Sequence, residues 1–257
     1  MAQAHQRRQG LAQVTGRPSG APRARHLLIP RRPFQLLRTG GGRVPRHLQA
    51  QYGPVGVSYT EELDGGGNTF GRAYAPFVER HLGHVGSAFE WCAGPGFIGF
   101  SLLAAGLCTS LDLGDLNPAS QAVVDRTVKA NGLENQVRFH LSDSFAQVPA
   151  DLRWDLIVGN PPHVNAAAPA SEYQHSHSPL IWKDTDWSIH RDFYAAAPGF
   201  LNPGGSILIQ ENHRFSAPED FMQMIEDAGL EVVGSFGCGP GFEDYYFLWS
   251  RLPEGAR

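Results

Sequence analysis

The residues Asn160-Pro161-Pro162-His163 carry the clearest chemistry in this 257-residue chain. An amide-type or aniline-type nitrogen has a delocalised lone pair and is a poor nucleophile. The Asn160 side-chain carbonyl and the Pro161 backbone carbonyl can accept its two N–H hydrogens. That would localise the lone pair and aim it, so the gain is positioning and charge stabilisation rather than prior removal of a proton. His163 offers a flat ring to stack on the planar group. The element that must hold these residues is the preceding run, residues 154–159, a short apolar segment with β-branched Ile157 and Val158 that reads as a buried strand ended by Gly159. Neither proline has an N–H for a sheet ladder, so the chain leaves the sheet at Asn160. In open α/β sheets, ligands sit at that C-terminal edge. A plain Pro-Pro turn after a strand would share the tetrapeptide, and the rest of the chain must separate the two readings.

Asn160-Pro161-Pro162-His163 resembles the Asn-Pro-Pro-(Tyr/Phe/Trp/His) active-site loop of class I S-adenosylmethionine-dependent methyltransferases that act on planar nitrogens. Their targets include exocyclic amines of nucleobases and the side-chain amide of glutamine in protein. The resemblance implies catalytic roles for Asn160, Pro161, Pro162 and His163. His163 stands where Tyr or Phe is more common, so stacking carries over but no particular substrate does.

The elements upstream fit the same pattern. Residues 88–92 read as a strand, followed by Ala93-Gly94-Pro95-Gly96-Phe97-Ile98-Gly99, a G-x-G-x-x-G turn, and a helix over 100–107. Alone, this turn suits a dinucleotide equally well. Glu90, four residues before the first glycine, separates the two. A carboxylate there suits the ammonium of a methionine moiety and would repel a pyrophosphate. Residues 109–115 read as the second strand. Asp115, about twenty residues after Gly94, is placed for ribose hydroxyls, with Asp112 as the competitor. Leu116 follows, then Asn117 as helix cap and Pro118 as first helical position. A helix over 119–130 stops at Asn131-Gly132. Residues 137–143 read as the third strand. The resemblance places Asp143 and Ser144 at the adenine ring and gives the cofactor Glu90, Cys92, Gly94, Gly96, Asp115, Leu116, Asp143, Ser144 and Asn160.

Residues 164–191 form a long connection, and a loop of this length usually has a job. It holds His175, His177, His190, Asp184, Asp186, Tyr173, Trp182 and Trp187. Three readings stand: a substrate-shaping lid, aromatic packing against the core, and a metal site. The last is disfavoured because no pair has helical ligand spacing with a third partner nearby, so no metal is expected. A helix over 190–198 leads through Leu201-Asn202-Pro203-Gly204-Gly205, a turn also seen in the superfamily, to a fifth strand over 206–211. A helix from Ala217-Pro218 ends at Gly229, and residues 230–233 and 245–249 read as two final strands. The expected fold is α/β: a Rossmann-like, doubly wound seven-stranded sheet, mostly parallel, with an antiparallel last strand.

The chain's start is of another character. Residues 1–60 hold ten arginines and no Asp, Glu or Lys. The remainder sets eleven basic residues against all 25 acidic ones, a formal charge of −14. We expect residues 1–50 to form a basic, flexible arm. It reads as a solvated tail, a basic arm for RNA or another polyanion, or an organellar targeting segment. Residues 51–257 are expected to be the catalytic domain, with a Gly-rich loop over 59–70 and a helix over 73–82 that in this superfamily covers the cofactor. No apolar run approaches a membrane span. The sparse, odd cysteines Cys92, Cys108 and Cys238 fit reduced thiols in a cytoplasmic compartment. Three function classes follow: an enzyme methylating RNA or protein, a small-molecule N-methyltransferase, and a non-catalytic cofactor-binding module.

Overall fold

The computed structural model describes residues 46–165 and 178–255. Its main sheet has seven strands in the order β5-β4-β3-β6-β7-β9-β8. These are β3 (Val85–Trp91), β4 (Cys108–Asp115), β5 (Val137–Leu141), β6 (Trp154–Gly159), β7 (Leu201–Asn212), β8 (Glu231–Gly237) and β9 (Tyr245–Arg251). The ladders are parallel from β5 through β7, and β9 runs antiparallel to both β7 and β8. The expected α/β sheet with one antiparallel strand is therefore what forms. The last two strands pair antiparallel at one side of the sheet, with β9 between β7 and β8. Chain order reverses direction between β3 and β6, which puts the C-terminal ends of these two strands side by side, with Trp91 opposite Gly159.

Helices α1 (Gly67–His81), α2 (Phe97–Ala104), α3 (Pro118–Asn131), α4 (Pro179–Trp182), α5 (Ser188–Ala196) and α6 (Glu219–Asp227) complete the described fold. Two apolar clusters sandwich the sheet. One contains Tyr74, Phe100, Leu111 and Val158, the other Phe89, Trp91, Trp154 and Phe193. Alternate residues of the central strands point to opposite clusters, as the period of a pleated strand dictates. Asn117 caps α3 as its sequence position predicts, accepting the Ala119 N–H at 3.0 Å, and Gly132 closes the helix with φ 65°.

Several boundaries differ from the sequence reading. His47–Tyr52 (β1) and Val55–Thr60 (β2) form an antiparallel hairpin that was not anticipated. Residues 47–50 of this hairpin fall inside the expected arm. The signal was present: two alternating runs flank Gly53-Pro54, and Gly53 adopts φ 48°. The hairpin is tied to α3 by the Ser58 N–H donating to Thr127 Oγ1 (2.9 Å) and by Asn131 bonded to both backbone groups of Gly56. The glycine loop over 59–70 is shorter than expected, because α1 begins at Gly67. The turn at Leu201-Gly205 is absorbed into β7 as a bulge against β6.

In the 164–191 connection, buried and exposed residues alternate among those described, with Pro179, Leu180, Lys183, Thr185 and Asp186 exposed. Trp187, Asp184 and His190 are buried. The Val164 N–H donates to Trp182 O and the Asp184 N–H to Val164 O. The lid reading of residues 166–177, including Tyr173, His175 and His177, and the basic arm up to residue 45 lie outside the described residues. Among the described residues, no group of three or more His, Cys, Asp or Glu is placed to hold a metal ion. No helix among them is long and apolar enough to cross a membrane.

Candidate active site

The site is built where β3, β4 and β6 end. After β3, Cys92 takes a left-handed conformation (φ 53°), and Gly94 (φ 51°) and Gly96 (φ 83°) follow in the same region, so the chain turns back sharply into α2. The Gly94 N–H donates to Asp115 Oδ2 at 2.7 Å, and the Asn117 N–H to Asp115 Oδ1 at 2.7 Å. Asp115 thus joins the glycine loop to the end of β4, and each oxygen keeps a lone pair for a hydroxyl. Its competitor Asp112 is fully engaged: Arg138 and His140 from β5 and the Trp154 indole donate to it at 2.7–2.9 Å. The structure therefore leaves Asp115, and not Asp112, at the sheet edge.

Glu90, expected at the cofactor's ammonium, is also held by the protein itself. The carboxyl is buried and turned onto the start of α2, where it accepts the N–H groups of Gly99 (2.6 Å) and Ile98 (3.3 Å). It closes a helix N-terminus whose glycine cap has no side chain to do so. Burial outweighs these two bonds and pushes its pKa up to about 8. The proximity of Asp115 adds to that rise. A cation brought to this carboxyl would return it to its charged form.

The two glycines also play different parts. A Cβ on Gly94 would meet nothing nearer than the Leu63 carbonyl at 3.9 Å, so the loop is open on that side. A Cβ on Gly96 would lie 2.9 Å from Leu113 and Phe100. Gly96 is therefore needed for helix-on-strand packing. At the end of β5, Ser144 has φ 49° and a buried hydroxyl with no partner among the described residues. Asp143 precedes it, and Leu116 lies beside Asp115, both partly exposed.

Asn160-Pro161-Pro162-His163 leaves the sheet at the end of β6. Gly159 is required there, since a Cβ would meet the Trp91 carbonyl at 2.9 Å. Tyr74 of α1, which the sequence showed only as one apolar position of a helix, donates its buried hydroxyl to Gly159 O at 2.6 Å. That bond fixes the last carbonyl before Asn160. The prolines are buried. Asn160 Oδ1 and His163 Nδ1 are buried atoms without a hydrogen-bond partner. Such acceptors are costly to leave unmade and mark a place for a donor. Burial holds the His163 ring below its ordinary pKa, hence neutral. The ring lies near-parallel to Phe215 (18°, centroids 6.1 Å apart) and edge-on to Tyr245. Tyr245 in turn packs on Phe70 near the start of α1 (4.7 Å). Aromatic rings therefore surround His163, three residues after Asn160.

Comparison with known proteins follows the same line. Residues 58–177 match the family model of the Methyltransferase small domain. The ribosomal protein uL3 glutamine methyltransferase of Bordetella pertussis is 29% identical over 143 residues, which cover 54% of this chain and 47% of that protein. The release factor glutamine methyltransferase of Leptospira interrogans is 31% identical over 85 residues, 32% of this chain and 30% of that protein. The chain spans about half the length of the first of these curated relatives. Among solved structures, the T. thermophilus 16S rRNA N2 methyltransferase, in complex with AdoMet and guanosine, superposes with a TM-score of 0.57 at 16% identity, over 82% of this chain and 51% of that one. This is the fold of the class I S-adenosylmethionine-dependent methyltransferases. The matched family residues run from β2 past the Asn160 loop and so contain every residue singled out above for cofactor or acceptor.

Proposed function

We propose that the chain is an S-adenosylmethionine-dependent N-methyltransferase that acts on the side-chain amide of a protein substrate. The observation that carries this reading is the buried, unpartnered Asn160 Oδ1 at the end of β6, one strand from the Gly94–Asp115 loop. Gly94, Asp115 and the Asp143–Ser144 turn fit the cofactor: an open glycine backbone, a carboxylate with free lone pairs, and a buried hydroxyl seeking a partner. Glu90 in its ionised form would answer the ammonium, and Cys92 and Leu116 line the turns beside it. The bound cofactor supplies a methyl group activated by a sulfonium. The chain supplies the orientation: Asn160 Oδ1 and the Pro161 carbonyl accept the two N–H hydrogens of the acceptor, Pro162 stiffens the loop, and His163 stacks on the planar group. The glutamine methyltransferases among the relatives favour a protein amide over a nucleobase amine in RNA. A protein substrate of that kind supports a cytoplasmic enzyme.

The test is transfer of label from tritiated S-adenosylmethionine to purified ribosomal protein uL3, a release factor, or total RNA. Label in a protein glutamine is expected. Label in RNA alone would move the substrate to a nucleobase, and label only in small metabolites of a lysate would favour a biosynthetic N-methyltransferase.

A further inference from the structure

The acceptor loop is held at both ends. At its start, the Tyr74 hydroxyl fixes the Gly159 carbonyl. At its end, Val164 follows His163 directly, is buried, and forms a parallel bridge with Lys183. The Val164 N–H donates to the Trp182 carbonyl at 2.9 Å, and the Asp184 N–H donates to the Val164 carbonyl at 3.2 Å. One residue on, the Asp186 N–H donates to Asn165 Oδ1 at 2.8 Å. The exit of the loop is thus bonded to the segment that leads into α5.

That segment is bonded in turn to the sheet through buried side chains. His190, in the first turn of α5, meets Asp184 Oδ2 through Nδ1 at 2.7 Å and Glu211 Oε1 of β7 through Nε2 at 2.9 Å. All three side chains are fully buried. Asp184 also accepts the N–H groups of Ile189 and His190, so it is fixed at the start of α5. An ionised carboxylate can only accept, so two of them facing one ring require hydrogen on both ring nitrogens. A neutral imidazole has one N–H and serves one carboxylate, which leaves the other buried and unpaired at a high cost. The ladder therefore holds one proton more than a neutral ring between two carboxylates.

We propose that Asp184, His190 and Glu211 are positioning residues of the acceptor loop: the protonated ladder ties Val164, through Asp184, to β7 and so holds His163 and Asn160 in place. The catalytic consequence rests on the N-methyltransferase reading, whereas the tie itself does not. A displacement of about 1 Å at a reacting group can cost about a hundredfold in rate, and a loop fixed at Gly159 alone would be free to make one.

Burial opposes charge on the His190 ring, but Glu211 and Asp184 outweigh it and push its pKa up to about 9. The ring's other neighbours, Trp91, Trp187 and Phe221, do not titrate. The titratable groups that face the two carboxylates are Tyr194 from α5, Tyr246 from β9, Tyr74 from α1, and Cys92 after β3. Burial raises the pKa of all four, and the carboxylates raise it further, so they stay neutral while His190 titrates. His163, which senses both Glu211 and His190, is held neutral by burial.

The tie is read in the full chain without ligand, as protection of the Val164 amide against hydrogen exchange, followed by NMR. A loop that opens by breaking the ladder releases the extra proton, because the ring's ordinary pKa is 6.5. Protection should therefore fall by about tenfold per pH unit from pH 6.5 towards 9. In Glu211→Gln the side-chain amide can donate to a neutral ring whose Nδ1–H still serves Asp184, so this slope should disappear. Wild-type protection that does not change with pH overturns the proposal and needs no variant to fold. The same slope in Glu211→Gln overturns it as well. Methyl transfer to uL3 then separates positioning from stability. In the wild type, kcat should fall above about pH 9 while circular dichroism shows the fold intact, and in Glu211→Gln that fall should be absent. One kcat profile shared by both forms limits the ladder to stability and overturns the positioning role. No transfer to uL3, release factor or RNA by the wild type sinks the methyltransferase reading, and the exchange measurement still decides the tie.

Discussion

At the scale of single residues, Asn160 is the decisive contact. Asn160→Ala removes the acceptor oxygen without touching the glycine loop. Cofactor affinity measured by calorimetry should stay within a few-fold, while kcat falls about a hundredfold or more, the scale set by losing one preorganised transition-state hydrogen bond. Equal losses in cofactor affinity and turnover would move Asn160 into the cofactor site instead. Gly94 and Gly96 make a paired prediction. Gly96→Val forces a side chain into Leu113 and Phe100 and into an unfavourable φ of 83°, so it should destabilise the fold. Gly94→Ala points its methyl into open space, and a non-glycine residue in that conformation costs only about 1–2 kcal/mol. It should unfold at a nearby urea midpoint yet lose cofactor affinity. Unchanged affinity in folded Gly94→Ala would place the cofactor elsewhere.

At the scale of elements, one link holds the acceptor loop and another holds α5 to the sheet. The first is the bond from Tyr74 on α1 to the last carbonyl of β6. Tyr74→Phe leaves that buried carbonyl unpaired and should cost about 1–3 kcal/mol in urea denaturation. A variant as stable as the wild type would mean that water or another donor replaces the phenol. The second is a buried ladder in which His190 of α5 meets Asp184 at 2.7 Å and Glu211 of β7 at 2.9 Å. The folded protein holds the His190 proton up to about pH 9, against an ordinary value of 6.5. Its contribution to stability is fully present below pH 6.5 and lost as pH rises through about 9. The stability gap between wild type and Asp184→Asn should therefore be widest at low pH and narrow towards about pH 10, where His190 is neutral in both. A gap that does not change with pH would mean that the hydrogen bond alone, and not the charge, holds α5 to the sheet.

At the scale of the molecule, charge is divided along the chain. The acidic residues all lie after position 60, and ten arginines lie before it. Deleting residues 1–45 spares the β1–β2 hairpin, whose first residue is His47. If the arginine segment engages a polyanion, the deletion should weaken RNA association and flatten its dependence on salt, with cofactor affinity unchanged. RNA association that is absent in both forms at low salt would leave the segment with no nucleic-acid role.

What the sequence determined by itself was local. Asn160-Pro161-Pro162-His163, the glycine turn after β3 and Asp115 at the end of β4 are legible because each depends on neighbouring residues: proline lacks an N–H, glycine reaches left-handed φ, and a strand's period fixes which end carries an acid. Alternating strands and helices likewise implied the parallel sheet. The choice between Asp112 and Asp115 was made by tertiary structure, because it depends on Arg138, His140 and Trp154 arriving from other strands. The tertiary structure also adds the Gly99 N–H to the surroundings of Glu90 and Leu113 to those of Gly96, contacts that no local pattern spells out. Tyr74 reaches Gly159 across 85 positions, and His190 reaches Glu211 across 21. No periodicity encodes such pairs. Strand register brings them into contact, and burial then makes an unpaired oxygen or nitrogen costly enough to matter.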